Sequence, residues 1–237
     1  MNMKNYKYGI QKGIPIFLGY LPVSFTFGFM AVSGGLPVWL AVFISVTNLT
    51  SAGQFAGTNL IFAQAGYLEI ALTTFVINLR YSLMSLSLSQ KIHHKTPVWK
   101  RLIFSFGITD ETFVVASMES GTLSAGYLLG LMTLPFVGWS LGTFLGGSVS
   151  TLLPLSLQNA MGIGLYAMFI ALIVPASREK KEVFLVVLMA VLFACLLKYT
   201  PVLRQISSGF RVIIATILAA GIGAFLFPKE EDEEEKS

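Results

Sequence analysis

Three ionisable residues fall inside apolar runs: Arg80 in "VINLRYSLMSLSLS", and Asp110 with Glu111 in "FSFGITDETFVVAS". A charge at the centre of a membrane helix costs at least about 2.5–3.5 kcal/mol, so such residues face a bundle interior and pair with one another. Arg80 and the acidic pair are natural partners. A structural ion pair would account for them, as would a substrate or coupling-ion site, and their closeness to broken segments favours the site. Asn78 lies two residues before Arg80 and Tyr81 one after, so neither shares its helical face. One could bind substrate while another braces a neighbouring helix. A second polar cluster, "VTNLTSAGQFAGTN", holds Asn48, Thr50, Ser51, Gly53, Gln54 and Asn59.

Enzymatic chemistry finds little support in the same residues. "GWSLG" around Ser140 matches a nucleophile-elbow pattern, but that motif needs a strand-to-helix turn, whereas here it lies in an apolar helix. The two histidines, His93 and His94, are adjacent in a loop without carboxylate or thiol company. There is no H-E-x-x-H, P-loop or paired-cysteine pattern. No cofactor and no metal site is expected, and the chain is not read as an enzyme.

The elements that must position these residues are membrane helices. Of 237 residues, 54% are hydrophobic and 12% charged, against roughly 25% charged in soluble domains. Apolar runs recur from Ile14 to Phe227, and a helix needs about 20 residues to cross the hydrocarbon core. The expected fold is an all-α integral membrane protein with about 6 to 8 membrane segments, forming a single transmembrane domain over residues 1–237 and sitting in the lipid bilayer. The run after Lys4, Lys7 and Lys12 is long, contains Pro22 and is followed by further spans, so it reads as an uncleaved first span rather than a signal peptide. Most Lys and Arg residues lie in short segments between spans, as in cytoplasmic loops, which argues against nucleic acid as a partner. The single Cys195 cannot form an internal disulfide.

Charge also constrains the crossings. The positive-inside rule puts three clusters in the cytoplasm: Lys4, Lys7 and Lys12; Lys91, Lys95, Lys100 and Arg101; and Arg178, Lys180 and Lys181. Three apolar segments, 13–33, 37–65 and 68–90, separate the first two clusters, so one of them must fail to cross. The middle one is interrupted by polar residues, and broken backbone at membrane depth requires cover from protein or a water-filled cavity. It is expected to form two half-helices that enter and leave on one side, with Thr47 to Gly57 near the tip; a long tilted helix with a polar stripe is the other reading. "TFGFMAVSGGLP", Thr26 to Pro37, aligns on "TFLGGSVSTLLP", Thr143 to Pro154. This suggests an inverted repeat with broken or re-entrant helices, halves 8–95 and 127–208, and a second re-entrant segment at 155–176. Residues 102–122 would then cross outward and 127–151 cross back; 102–122 lying inside without crossing fits the charges equally well. Both termini are expected in the cytoplasm, the second ending in an acidic tail at 228–237. Glycines at four-residue spacing, as at Gly138, Gly142 and Gly146, read as close helix packing, and Glu69 reads as interfacial.

Taken together, "SAGQFAGTNLI", "VINLRYSLMSLSLS" and "GITDETFVVAS" resemble the large subunit of the AzlC/YgaZ family of branched-chain amino acid exporters, over about residues 8–227. The resemblance implies export of leucine, isoleucine and valine, with methionine in some members, and a small membrane partner subunit of the AzlD/YgaH type. It places the family's glycine-glutamine motif on Gly53 and Gln54, its asparagine-arginine motif on Asn78 and Arg80, and its acidic pair on Asp110 and Glu111. The expected protein is a secondary transporter of the cell (cytoplasmic) membrane, driven by a proton gradient. A channel or passive pore for small solutes is the alternative, and a non-transporting structural or sensory subunit a third. Broken helices offer N-terminal amides to an anion, so the amides from Ser51 to Phe55, with Gln54 and Arg80, are expected to hold the substrate carboxylate, with Asn78 nearby. Asp110 or Glu111 would meet the ammonium or carry a proton, and aromatic residues would line the side-chain pocket.

Overall fold

The computed structural model describes residues 3–94, 96–150, 170, 173–174, 177–178 and 180–227. The re-entrant segment expected at 155–176 falls almost wholly outside these residues, and the acidic tail does so entirely. Among the described residues the protein is helical, without strands. Five of the described helices are long and apolar enough to cross a membrane.

The organising contact joins α1 (Met3–Ser33) and α7 (Ala125–Val149). Small residues let their backbones touch. A Cβ on Gly9 would collide with the backbone at Tyr127, one on Gly13 with Leu131, one on Gly28 with Thr143, and one on Gly146 with Phe25. These contacts ascend together along both helices, so α1 and α7 run parallel. That corrects the repeat suggested by the sequence. An inverted repeat linking Thr26–Pro37 to Thr143–Pro154 requires opposed directions, and the helices carrying those stretches share one.

Local signals set the ends of α1. Pro15 and Pro22 lie inside it without ending it, as membrane helices tolerate. It stops at Gly35, whose φ of +104° suits glycine, with Leu36 N donating to Ala31 O and Gly35 N to Val32 O, a Schellman closure.

Two broken hairpins fill the space beside this seam. The first is α2 (Val38–Thr47) with α3 (Ala52–Phe62), and α4 (Tyr67–Lys91) follows it. Val38 lies near Gly147 at the end of α7. Gly53 lies against Asn78, Gly57 faces Thr74, and a Cβ on Gly34 would meet the Phe62 ring. The hairpin therefore leaves the far end, where α1 finishes, turns at Asn48–Ser51 and returns to it, as the broken motif led one to expect. The second hairpin is α5 (Val98–Ser105) with α6 (Asp110–Met118). It starts from the opposite, basic end, where Lys91 Nζ donates to Ser117 O at 2.6 Å and Asn5 Nδ2 to Ser124 Oγ at 3.0 Å. Residues 102–118 thus turn back without crossing, and α7 runs away from the basic end rather than toward it.

The last helices are α8 (Lys181–Tyr199) and α9 (Ser208–Leu226). Gly223 packs against Val186, and Gly209 against Glu69 and Thr73 at the far end of α4. Glu69, read from sequence as interfacial, is buried and accepts from Gly209 N at 2.8 Å, a carboxylate at the positive end of a helix.

Candidate functional site

The break between α5 and α6 comes from a short local code. After Gly107, Thr109 caps α6: its hydroxyl accepts from Thr112 N, and Thr112 Oγ1 accepts from Thr109 N at 2.8 Å, the reciprocal pairing of a capping box. Asp110 and Glu111 are consequently the first residues of a half-helix, not the middle of a span. Helix N-termini favour carboxylates, which helps explain two acids at this depth. They diverge from there, Asp110 toward α4 and Glu111 toward α1.

Arg80 Nη1 lies 2.6 Å from Asp110 Oδ2. Its Nη2 donates to Tyr81 Oη at 3.3 Å, and Tyr81 in turn donates to Thr50 O, at the tip of the first hairpin, at 3.1 Å. The Arg80 and Asp110 side chains remain 39% and 37% exposed, so a ligand can reach the pair. Glu111 Oε2 lies 2.5 Å from the Tyr20 hydroxyl, which is also 2.7 Å from Thr109 Oγ1. With one proton, Tyr20 donates to one of these at a time.

Ser51 ends the first tip at φ +48°, a left-handed value that costs a non-glycine residue about 1–3 kcal/mol. The first turn of α3 carries no acidic residue, unlike that of α6, so its positive end is not balanced by a side chain of its own. Gly53 is buried against Asn78, whose carboxamide a Cβ there would strike, and Asn78 Oδ1 is buried without a hydrogen-bond partner among the described residues, as is Arg80 Nε. Phe55 is buried edge-on to Phe27, with centroids 5.2 Å apart.

Gln54 is held at both ends. Trp139 Nε1 donates to its Oε1 at 3.1 Å, and its Nε2 donates to Ser45 Oγ at 2.7 Å. Ser45 shares a 2.7 Å hydrogen bond with Thr143. These four side chains are almost fully buried. Gln54 therefore ties the first hairpin to α7, with its oxygen and its nitrogen each engaged by a buried neighbour.

The structure brings Arg80, Asp110, Tyr81 and the tip at Thr50–Ser51 together, with Gly53 and Asn78 beside them. Glu111 sits on the Tyr20 side, and Phe55 and Gln54 pack inward. Tyr20, Ser45, Thr109, Trp139 and Thr143 were not singled out by the sequence reading. Two signals pointed to some of them: the Thr-x-x-Thr cap after Gly107, and a tryptophan inside an apolar helix, whose N–H needs a partner.

The arrangement is that of a polytopic membrane protein with two broken hairpins entering from opposite ends and meeting a half-buried ion pair. The family model described as AzlC protein matches residues 15–153, which span every one of these side chains, and the chain belongs to that family. It is 28% identical to the "Inner membrane protein YgaZ" of Escherichia coli (strain K12) over 181 residues, 73% of this chain and 74% of that one. An "Uncharacterized membrane protein" of Archaeoglobus fulgidus is 31% identical over 172 residues, 72% of this chain and 75% of the relative. No solved structure matches it.

Proposed function

We propose that the protein is a secondary transporter that exports branched-chain and other hydrophobic amino acids, driven by a proton gradient and working with a small membrane subunit. The observation that carries this reading is the reachable Arg80–Asp110 pair between two half-helix N-termini, one bearing carboxylates and one bearing none. A zwitterionic amino acid presents the same two charges in reverse. It can enter the pair without a net change of charge, its carboxylate meeting Arg80 and the amides that open α3, and its ammonium meeting Asp110. Glu111 is left as the proton carrier.

Gln54 acts in this scheme by fixing the hairpin, and Asn78 Oδ1 offers a second acceptor for the ammonium. By the positive-inside rule the basic end faces the cytoplasm. Exposed apolar side chains on α8, such as Phe184, Leu188 and Leu192, are available to lipid or to the small subunit. The chain is also proposed not to be an enzyme.

Leucine efflux from preloaded proteoliposomes, with and without the partner subunit and with the proton gradient imposed or collapsed, tests the reading. Saturable, gradient-dependent efflux is expected. Folded protein that gives none in either preparation would overturn it, and flux that never saturates would favour a pore.

A further inference from the structure

The two hairpins are built alike. Pro37-Val38-Trp39 opens α2 and Pro97-Val98-Trp99 opens α5, while Ala65-Gly66-Tyr67-Leu68 leads into α4 and Ala125-Gly126-Tyr127-Leu128 into α7. Both matches fall at one separation, sixty residues. Pro37 and Pro97 also share their backbone geometry, φ −68° with ψ 149° and φ −66° with ψ 148°. Trp39 and Trp99 are both exposed, at opposite ends of the molecule, where tryptophan anchors a membrane interface. Residues 37–91 and 97–149 thus read as two copies of a hairpin followed by a long helix, set in opposite senses. One hairpin covers the site from each end.

A route between the two hairpins runs through two aromatic side chains. Tyr20 holds the tip of the second hairpin through Glu111 and Thr109. Its ring meets Trp139 edge-on, with centroids 5.1 Å apart and planes at 76°. Trp139 in turn donates to Gln54 in the first hairpin. Glycine contacts lock the backbones of α1 and α7 together around these residues, so along this route a shift at one hairpin passes through the rings, beside the polar link that runs from Asp110 through Arg80 and Tyr81 to Thr50. We propose that Tyr20 and Trp139 are positioning residues that couple the two hairpins, so that the two ends of the pathway open in alternation. This rests on the transporter reading. Were both hairpins to open at once, the site would connect the two sides and dissipate the driving gradient.

The test uses full-length protein in proteoliposomes with Cys195, an exposed thiol, changed to Ser. Thr47→Cys reports on the first hairpin and Ser105→Cys on the second, both at exposed positions, through their rates of reaction with a charged thiol reagent. Tyr20→Phe removes a hydroxyl that touches the second hairpin alone. Coupling predicts that both rates change by about 5-fold or more, in opposite directions, and that adding Trp139→Phe cancels the response at position 47. A change confined to position 105, changes in the same direction, or no change at either position would overturn the proposal. Glu111→Gln weakens the same hydrogen bond and must reproduce the result should Tyr20→Phe fail to fold, as judged by gel filtration. Because no substrate is added, absence of leucine efflux from the parent would sink the transporter reading while leaving the coupling measured on its own.

Discussion

Helices α4 and α7 are both 25 residues long, yet 6% of the apolar window of α4 is buried inside the chain against 50% of that of α7. The two differ in what their sequences offer a neighbour. α7 presents Gly130, Gly138, Gly142 and Gly146 to α1 and carries no charge. α4 presents Asn78 and Arg80 to the hairpins and leaves Phe75, Leu79, Leu83 and Leu86 exposed. Small residues give a dry seam whose strength is contact between backbones. Polar residues give a junction that holds only while each group has a partner, and a ligand can replace that partner. The molecule separates a fixed half from an exchangeable one.

The largest effect should come from breaking the seam. Gly146→Leu forces a side chain into the Phe25 backbone, and the protein is expected to be lost from the monodisperse peak in gel filtration. Phe75→Leu, at a position 62% exposed on α4, should leave that peak unchanged. Equal behaviour of the two variants would erase the contrast.

Next in size is the junction. Arg80→Ala should elute as the parent does yet lower leucine efflux by roughly 30-fold or more, the scale for removing one member of a hydrogen-bonded charge pair. Asp110→Asn should do likewise. Full transport by both would place the site elsewhere.

A smaller effect is expected at the α3–α4 contact. Gly53→Ala displaces the Asn78 carboxamide, whereas a Cβ on Gly57 would sit 3.1 Å from Thr74 Cγ2, a methyl that can give slightly. The first should raise the KM for leucine by about 10-fold, or about 1.4 kcal/mol, and Gly57→Ala should change it far less. Smallest of all, Ser51→Gly relieves the left-handed strain at the first tip. Its thermal midpoint should rise by about 2–4 °C for each kcal/mol gained, and a fall would mean that the serine side chain stabilises the turn more than its conformation costs.

Much of this division was legible before any coordinates. The glycine spacing of α7 announced a close helix contact, and the charge clusters with the polar run at Asn48–Asn59 required one segment that does not cross. Arg80 was paired with Asp110 and Glu111 together by the cost of leaving such charges alone in hydrocarbon. The second hairpin was harder to see, because "FSFGITDETFVVAS" reads as a continuous apolar run with two acids in it. Its break depends on a cap that satisfies Thr109 and Thr112 locally, a signal masked by the surrounding Phe and Val. The repeat aligned on Thr26–Pro37 and Thr143–Pro154 conflicts with the shared direction of α1 and α7, since short apolar matches recur by composition and the direction of a helix leaves no mark on its residues.

Sequence by itself therefore determined the class of protein, a pairing of Arg80 with the acids at 110 and 111, and a polar break in the second apolar segment, because hydrophobicity, net charge and the cost of buried charge act through residue type and order. Only the tertiary structure decided that α1 and α7 run parallel, that Asp110 and Glu111 open a half-helix and face different neighbours, and that Tyr20, Trp139 and Gln54 touch in succession. Those facts depend on which surfaces meet across long separations, and packing, unlike hydropathy, is not a sum over single residues.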